Sequence, residues 1–168
     1  MREELLLSVS HRQVVFNIPK MLRLFFRFKR KLLDSLCLLA VRSLVKFLHT
    51  ATGLEMMPGV VAVIQTFGDR INFHPHIHVL MAEGGTAPDG VFHHVSRFRD
   101  EVILGWPHTG FNVHSQVRAH TKIEAERVGK YMIWPLLSLK RLFFDETEGK
   151  VRYKHSSTSI DLSHPRGL

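Results

Sequence analysis

His74-Pro75-His76-Ile77-His78-Val79-Leu80 is the stretch on which the reading of this chain turns. On an extended strand successive side chains alternate faces, so His76 and His78 project to the same side. Ile77, Val79 and Leu80 are apolar and suit a strand whose other face is buried. Just upstream, Val60-Val61-Ala62-Val63-Ile64-Gln65-Thr66-Phe67 reads as a strand apolar on both faces, hence a central one. Gly68-Asp69-Arg70 reads as the hairpin connection between the two. That pairing brings Gln65 or its neighbours alongside the histidines. Two imidazoles on one strand face can grip one metal ion; the bland alternative is a strand with partly exposed histidines. His74 shares their phase, but Pro75 interrupts it. Proline has no N–H for a ladder, so regular pairing is expected to start at or after Pro75.

The 168 residues fit one domain, and at 45% hydrophobic they hold enough apolar material for a core. Lys and Arg total 23 against 15 Asp and Glu, giving a net charge of +8. With a pI near 10.1 this favours a polyanionic partner. The single cysteine, Cys37, excludes an intramolecular disulfide and a zinc knuckle built on paired cysteines. A reducing cytoplasm is the expected compartment. Glu3 and Glu4 ahead of a short apolar run make a poor signal peptide. No uncharged apolar run reaches membrane-spanning length.

Gln13 to Ile18 reads as a strand, and Pro19 opens a helix. From Lys20 to about Ala51 apolar residues recur at three- and four-residue steps, which predicts one amphipathic helix. Its other face is basic, through Arg23, Arg27, Lys29, Arg30, Lys31, Arg42 and Lys46. That face is either solvated or in contact with phosphates, with a membrane surface as a third option. Thr52-Gly53 stops the helix. Met57-Pro58-Gly59 is a turn, Glu83 to Gly90 a loop, and Val91 to Val95 a short strand. Residues 96–117 show no strong period. Thr121-Lys122-Ile123-Glu124 has the capping-box pattern, opening a helix that Trp134-Pro135 stops. Arg141 to Lys154 reads as a hairpin turning at Glu148-Gly149. The remaining tail, 155–168, is polar and expected to be disordered.

The chain has only two tyrosines. Tyr131 falls late in the capping-box helix, on one stripe with Glu124 and Arg127. A phenol attacking a phosphodiester needs its charge managed, because its ordinary pKa is about 10. A divalent ion on two histidines can polarise the scissile phosphate. The plainer reading makes Tyr131 a packing residue and leaves Glu124 to its cap.

The histidine strand and helical tyrosine together resemble the HUH endonucleases, and more closely the rolling-circle transposases of the insertion-sequence ninety-one type. The resemblance is carried by Val14 to Pro19, by Thr66 to His78 and by Gly129 to Leu136, with Leu139 to Leu142 extending the last. It implies an α+β fold, an antiparallel sheet of about four to five strands with packed helices, over a catalytic domain spanning 1–154. It implies His76 and His78 as ligands of a magnesium or manganese ion. It implies Tyr131 as the nucleophile that becomes linked to a 5′ phosphate of single-stranded DNA. Gln65, then Glu124, then His74 are the candidates for a further ligand. Arg70, Arg118, Arg127 and Lys130 are the cations expected to meet DNA; Trp134 and Phe67 could stack on unpaired bases, although Phe67 reads better as a core residue. The usual cysteine-rich lead-in is missing, Glu101 to Thr109 looks shortened, and Trp134 stands where an arginine is usual. The expectation is therefore an incomplete fold and a truncated copy.

Two other classes fit parts of the sequence. A histidine-triad nucleotide hydrolase would use the His74, His76, His78 spacing without a metal, against Pro75 and the positive charge. A basic DNA-binding fragment without catalysis would use the charge alone.

Overall fold

The computed structural model describes residues 8–68, 72–95 and 112–133 in full, and the backbone of 142–145, 150–154 and 159–161. The chain divides into two compact units, Met1–Ile133 and Trp134–Leu168.

The first unit is built on a four-stranded antiparallel sheet. Its strands are β1 (His11–Asn17), β2 (Val60–Phe67), β3 (Phe73–Ala82) and β6 (Asn112–Ala119), in the spatial order β2-β3-β1-β6. The histidine strand is thus internal, paired with β2 on one side and β1 on the other. A short pair, β4 (Gly84–Thr86) and β5 (Phe92–His94), forms a separate ribbon. The loop expected from Glu83 to Gly90 therefore contains a strand, which Phe92 opposes through Thr86.

Among the described residues, one long helix packs on each face of the sheet. Ile77, Val79 and Met81 of β3 join Val14 and Val113 against α2 (Lys31–Thr52), which contributes Ala40, Leu44, Phe47 and Leu48. These are the three- and four-residue steps visible in the sequence. Complete burial of a leucine such as Leu44 stabilises by about 1.5–3 kcal/mol. On the opposite face Leu80 and Ala119 pack against Ala125 and Met132 of α3 (Lys122–Ile133). Alternation along β3 therefore divides Ile77 and Val79 from His76, His78 and Leu80, and the histidines lie on the α3 side.

The single helix expected over Lys20–Ala51 is broken. A 3-10 turn (Lys20–Leu22) and α1 (Arg23–Phe28) precede α2, and Lys29 leaves helical geometry at φ −118°, ψ 74°. The stripe Leu22, Phe25, Phe26 would continue at positions 29 and 30, where the sequence has Lys29 and Arg30. With no apolar side chain to bury there, nothing holds the helix straight across the junction. At its far end α2 stops as expected: Gly53 takes the left-handed cap at φ 71°.

Two bulges shape the sheet. Gln65 pairs with His76 while Phe67 pairs with Phe73, so β3 carries one extra residue at His74-Pro75. Pro75 is accommodated there inside the strand, rather than marking its start. In β6 the register shifts between the partners of Gln13 and Val15. Val113 consequently packs on the α2 face and Ala119 on the α3 face.

In the second unit β7 (Leu142–Asp145) and β8 (Lys150–Lys154) form the expected hairpin, Leu142 opposite Tyr153. A further strand, β9 (Ser159–Asp161), pairs with β8, so the tail expected to be disordered includes an ordered strand. Among the described residues no helix is long and apolar enough to cross a membrane.

Candidate metal and nucleic-acid site

His76 and His78 stand side by side on the α3 face of β3, ring centroids 4.8 Å apart and planes at 61°. Their surroundings fix each ring. His76 Nδ1 donates to the carbonyl of His74 at 2.7 Å, so the neutral ring keeps its lone pair on Nε2. Gln65, its direct cross-strand partner, places Oε1 at 3.2 Å from that Nε2. The orientation of the Gln65 amide is set from its other end, where Nε2 donates to the carbonyl of Met132 at 2.9 Å. One side chain thus ties the histidine strand to the last turn of the tyrosine helix.

His78 is buried, and its Nδ1 is 2.9 Å from the amide nitrogen of Gln13. Burial, and then the neighbouring His76, push its pKa from 6.5 down to about 4. It is therefore a neutral imidazole at physiological pH, the form that binds metals. Gln13 was not singled out in the sequence. Its only signal is a polar residue directly before the apolar run Val14-Val15-Phe16, one strand away from the histidines.

The third histidine, His74, has its ring centroid 5.2 Å from that of His76 and contributes the carbonyl just described. Among the described residues no group of three or more His, Cys, Asp and Glu is gathered as a metal site. What the structure does bring together is the Gln65 amide oxygen against His76 Nε2, with the His78 ring beside that of His76.

Tyr131 lies in the last turn of α3, 69% exposed, next to the Met132 whose carbonyl Gln65 holds. The structure does not bring Glu124 to this end. Its carboxylate accepts from the amide of His120 at 2.8 Å and of Thr121 at 3.4 Å, while Thr121 Oγ1 accepts from the Glu124 amide. That is the complete capping box, and at 1.5 Å per residue it sits about 12 Å along the axis from Met132. Arg127 and Lys130 are exposed on α3.

Arg118, one of the cations expected to meet DNA, is exposed and also ion-paired. It lies opposite Arg12 across the β1–β6 ladder, where two like charges would repel. Both turn onto the fully buried carboxylate of Glu83: Arg12 at 2.7 Å to Oε1, Arg118 at 2.5 Å to Oε2. Arg118 thus reaches from the surface to a buried carboxylate. Arg70 and Trp134 lie outside the described residues.

A sheet with paired imidazoles on one face, crossed there by a helix bearing an exposed tyrosine, defines an α+β domain with a candidate metal centre. Comparison with known proteins finds two likenesses. Residues 59–104, which include both strands of the histidine hairpin, match the family model described as "Putative transposase". The chain is 31% identical over 93 residues to the transposase for insertion sequence element IS801 of Pseudomonas savastanoi pv. phaseolicola. That alignment covers 55% of this chain and 22% of the relative, so the chain spans about a fifth of the length of the protein it matches. No solved structure matches significantly. The likeness to insertion-sequence transposases expected from the histidine block is thus met by both comparisons.

Proposed function

We propose that this chain carries the strand-cutting centre of an HUH-type transposase, acting on single-stranded DNA through Tyr131. The observation that supports it is the Gln65 bridge, which fixes the histidine strand against the turn that bears the tyrosine. His76 Nε2 and Gln65 Oε1 both present lone pairs to one another. Two ligands of one octahedral ion, each at about 2.1 Å, stand about 3 Å apart, so this spacing suits a shared cation. Rotating the Gln13 amide by half a turn would hold the His78 proton on Nδ1 and leave Nε2 for the same ion. Imidazoles do not themselves choose among magnesium, manganese, zinc and cobalt. When bound, the ion would neutralise charge on a phosphate oxygen.

The chain's own residues then have defined tasks. Tyr131 Oη forms a bond to the phosphorus, and the bond from phosphorus to the 3′ oxygen breaks. The phenol loses its proton and the departing 3′ oxygen gains one. The product is a 5′-phosphotyrosine, from which a second 3′ hydroxyl can take the strand by the reverse exchange. Arg127 and Lys130, on the same exposed helix surface, steer the backbone.

The test is a labelled single-stranded oligonucleotide incubated with the protein and manganese, then run on a denaturing gel. A covalent adduct that disappears in Tyr131→Phe and persists in Tyr153→Phe is expected. Persistence in Tyr131→Phe would overturn the assignment of the nucleophile. Salt-sensitive binding with no adduct in the wild type would favour a DNA-binding module without catalysis.

A further inference from the structure

We infer that the 3-10 turn and α1, residues 20–28, form a stacking platform for unpaired nucleotides, separate from the cutting centre. This deepens the reading above and rests on it for the choice of a single strand.

The segment is unusual in burying nothing. α1 has no buried residue, Phe25 is 59% exposed, Phe28 80% and Met21 85%. Phe25 and Phe28 are three residues apart on a helix, so their rings are neighbours on one surface. The chain from residue 5 to residue 33 contains no Asp or Glu. Lys20, Arg27, Lys29, Arg30 and Lys31 are all exposed, and among the described residues none is in an ion pair. Exposed aromatic rings set among unpaired cations fit one chemistry above others: phosphates on the charges, base faces on the rings.

Position supports the same occupant. β1 ends at Asn17, the cross-strand partner of His76, and the platform follows directly. Arg23 is tied back to the carbonyl of Ile18 at 3.3 Å, and α1 lies against β3. The exposed rings therefore leave the sheet at the end where His76 and Gln65 meet. Two other occupants fit less well. A second copy would bring the same cations face to face. A helix lying in a membrane surface commonly runs for about 20–30 residues, whereas α1 has six.

The experiment measures binding of the full chain in EDTA, so that it reads affinity and not cutting. Three fluorescent ligands of equal length are compared: oligo-dT, the same backbone with abasic sites, and a duplex. Oligo-dT is expected to bind tightest. In Phe25→Ala and Phe28→Ala its affinity should fall roughly tenfold for each ring, with abasic affinity unchanged. Arg27→Glu should weaken all three ligands. Phe25→Trp should restore oligo-dT affinity, with indole fluorescence quenched on binding. Equal affinity for oligo-dT and the abasic strand would overturn the platform and leave a merely electrostatic surface. Ring-dependent binding to phosphatidylserine vesicles without a preference for oligo-dT would assign the face to membranes. Ring-dependent dimerisation in sedimentation would assign it to a second copy. A missing phosphotyrosine adduct would leave this result untouched, and loss of the platform would leave the adduct test intact.

Discussion

Gln65 and His76 face one another across the β2–β3 ladder with two lone-pair-bearing atoms, Oε1 and Nε2, 3.2 Å apart. Neither can turn away: the Met132 carbonyl holds one amide end and the His74 carbonyl holds the other imidazole nitrogen. A proton or a metal ion between them turns a repulsive contact into an attractive one.

Manganese titration by calorimetry should therefore separate the donors. His76→Ala with His78→Ala is expected to abolish binding, and Gln65→Ala to weaken it by about 10–100-fold, the usual scale for altering a metal's supporting shell. Equal affinity in wild type and the double histidine variant would sink the site.

Glu124→Ala is expected to cost about 1 kcal/mol of stability, through loss of half the capping box, and to leave manganese affinity unchanged. A weaker affinity for manganese would restore Glu124 as a ligand.

Stability should depend on His78 between about pH 4 and pH 6.5. Folded, this imidazole stays neutral down to about 4; unfolded, it takes a proton near 6.5. Across that window the unfolded chain binds more protons, so stability falls as pH drops through it and is complete above it. His11, whose pKa burial also lowers, acts in the same direction. Denaturant midpoints measured from pH 4 to 7 should show a shallower slope for His78→Gln than for the wild type.

Glu83→Ala should be among the most damaging single changes. The carboxylate is fully buried and holds two arginines that face each other across a ladder. Removing one member of such a group costs on the order of 3–5 kcal/mol, because the remaining charges are left uncompensated. Urea unfolding gives the value; a loss under about 1 kcal/mol would show the arginines to be satisfied by solvent instead.

Much of this arrangement could be read from the residues. Val60–Phe67 and the histidine strand announced their hairpin through β-branched runs and a turn, and Gln65 fell beside His76 as that pairing required. The helix at Lys122 declared itself by its cap. β6 did not, for a physical reason. Its bulge moves the buried positions from one face to the other between Val113 and Ala119, so no single alternation runs through it. Arg118 and Glu83 were illegible because the sequence separates them by 35 residues and only the sheet brings them together. Gln13 was missed because an amide in a strand signals nothing until the facing histidine is placed.

The extra residue at His74-Pro75 has one more consequence, for how such a chain can change over generations. Beyond the bulge, His76 and His78 take their phase from β1, through Asn17 and Val15, and not from the hairpin tip alone. The ladder on the tip side runs in a different register. An insertion or deletion near Gly68 can be absorbed at the bulge without rotating either imidazole out of its face. The tip is free to diversify while the chemistry downstream keeps its aim.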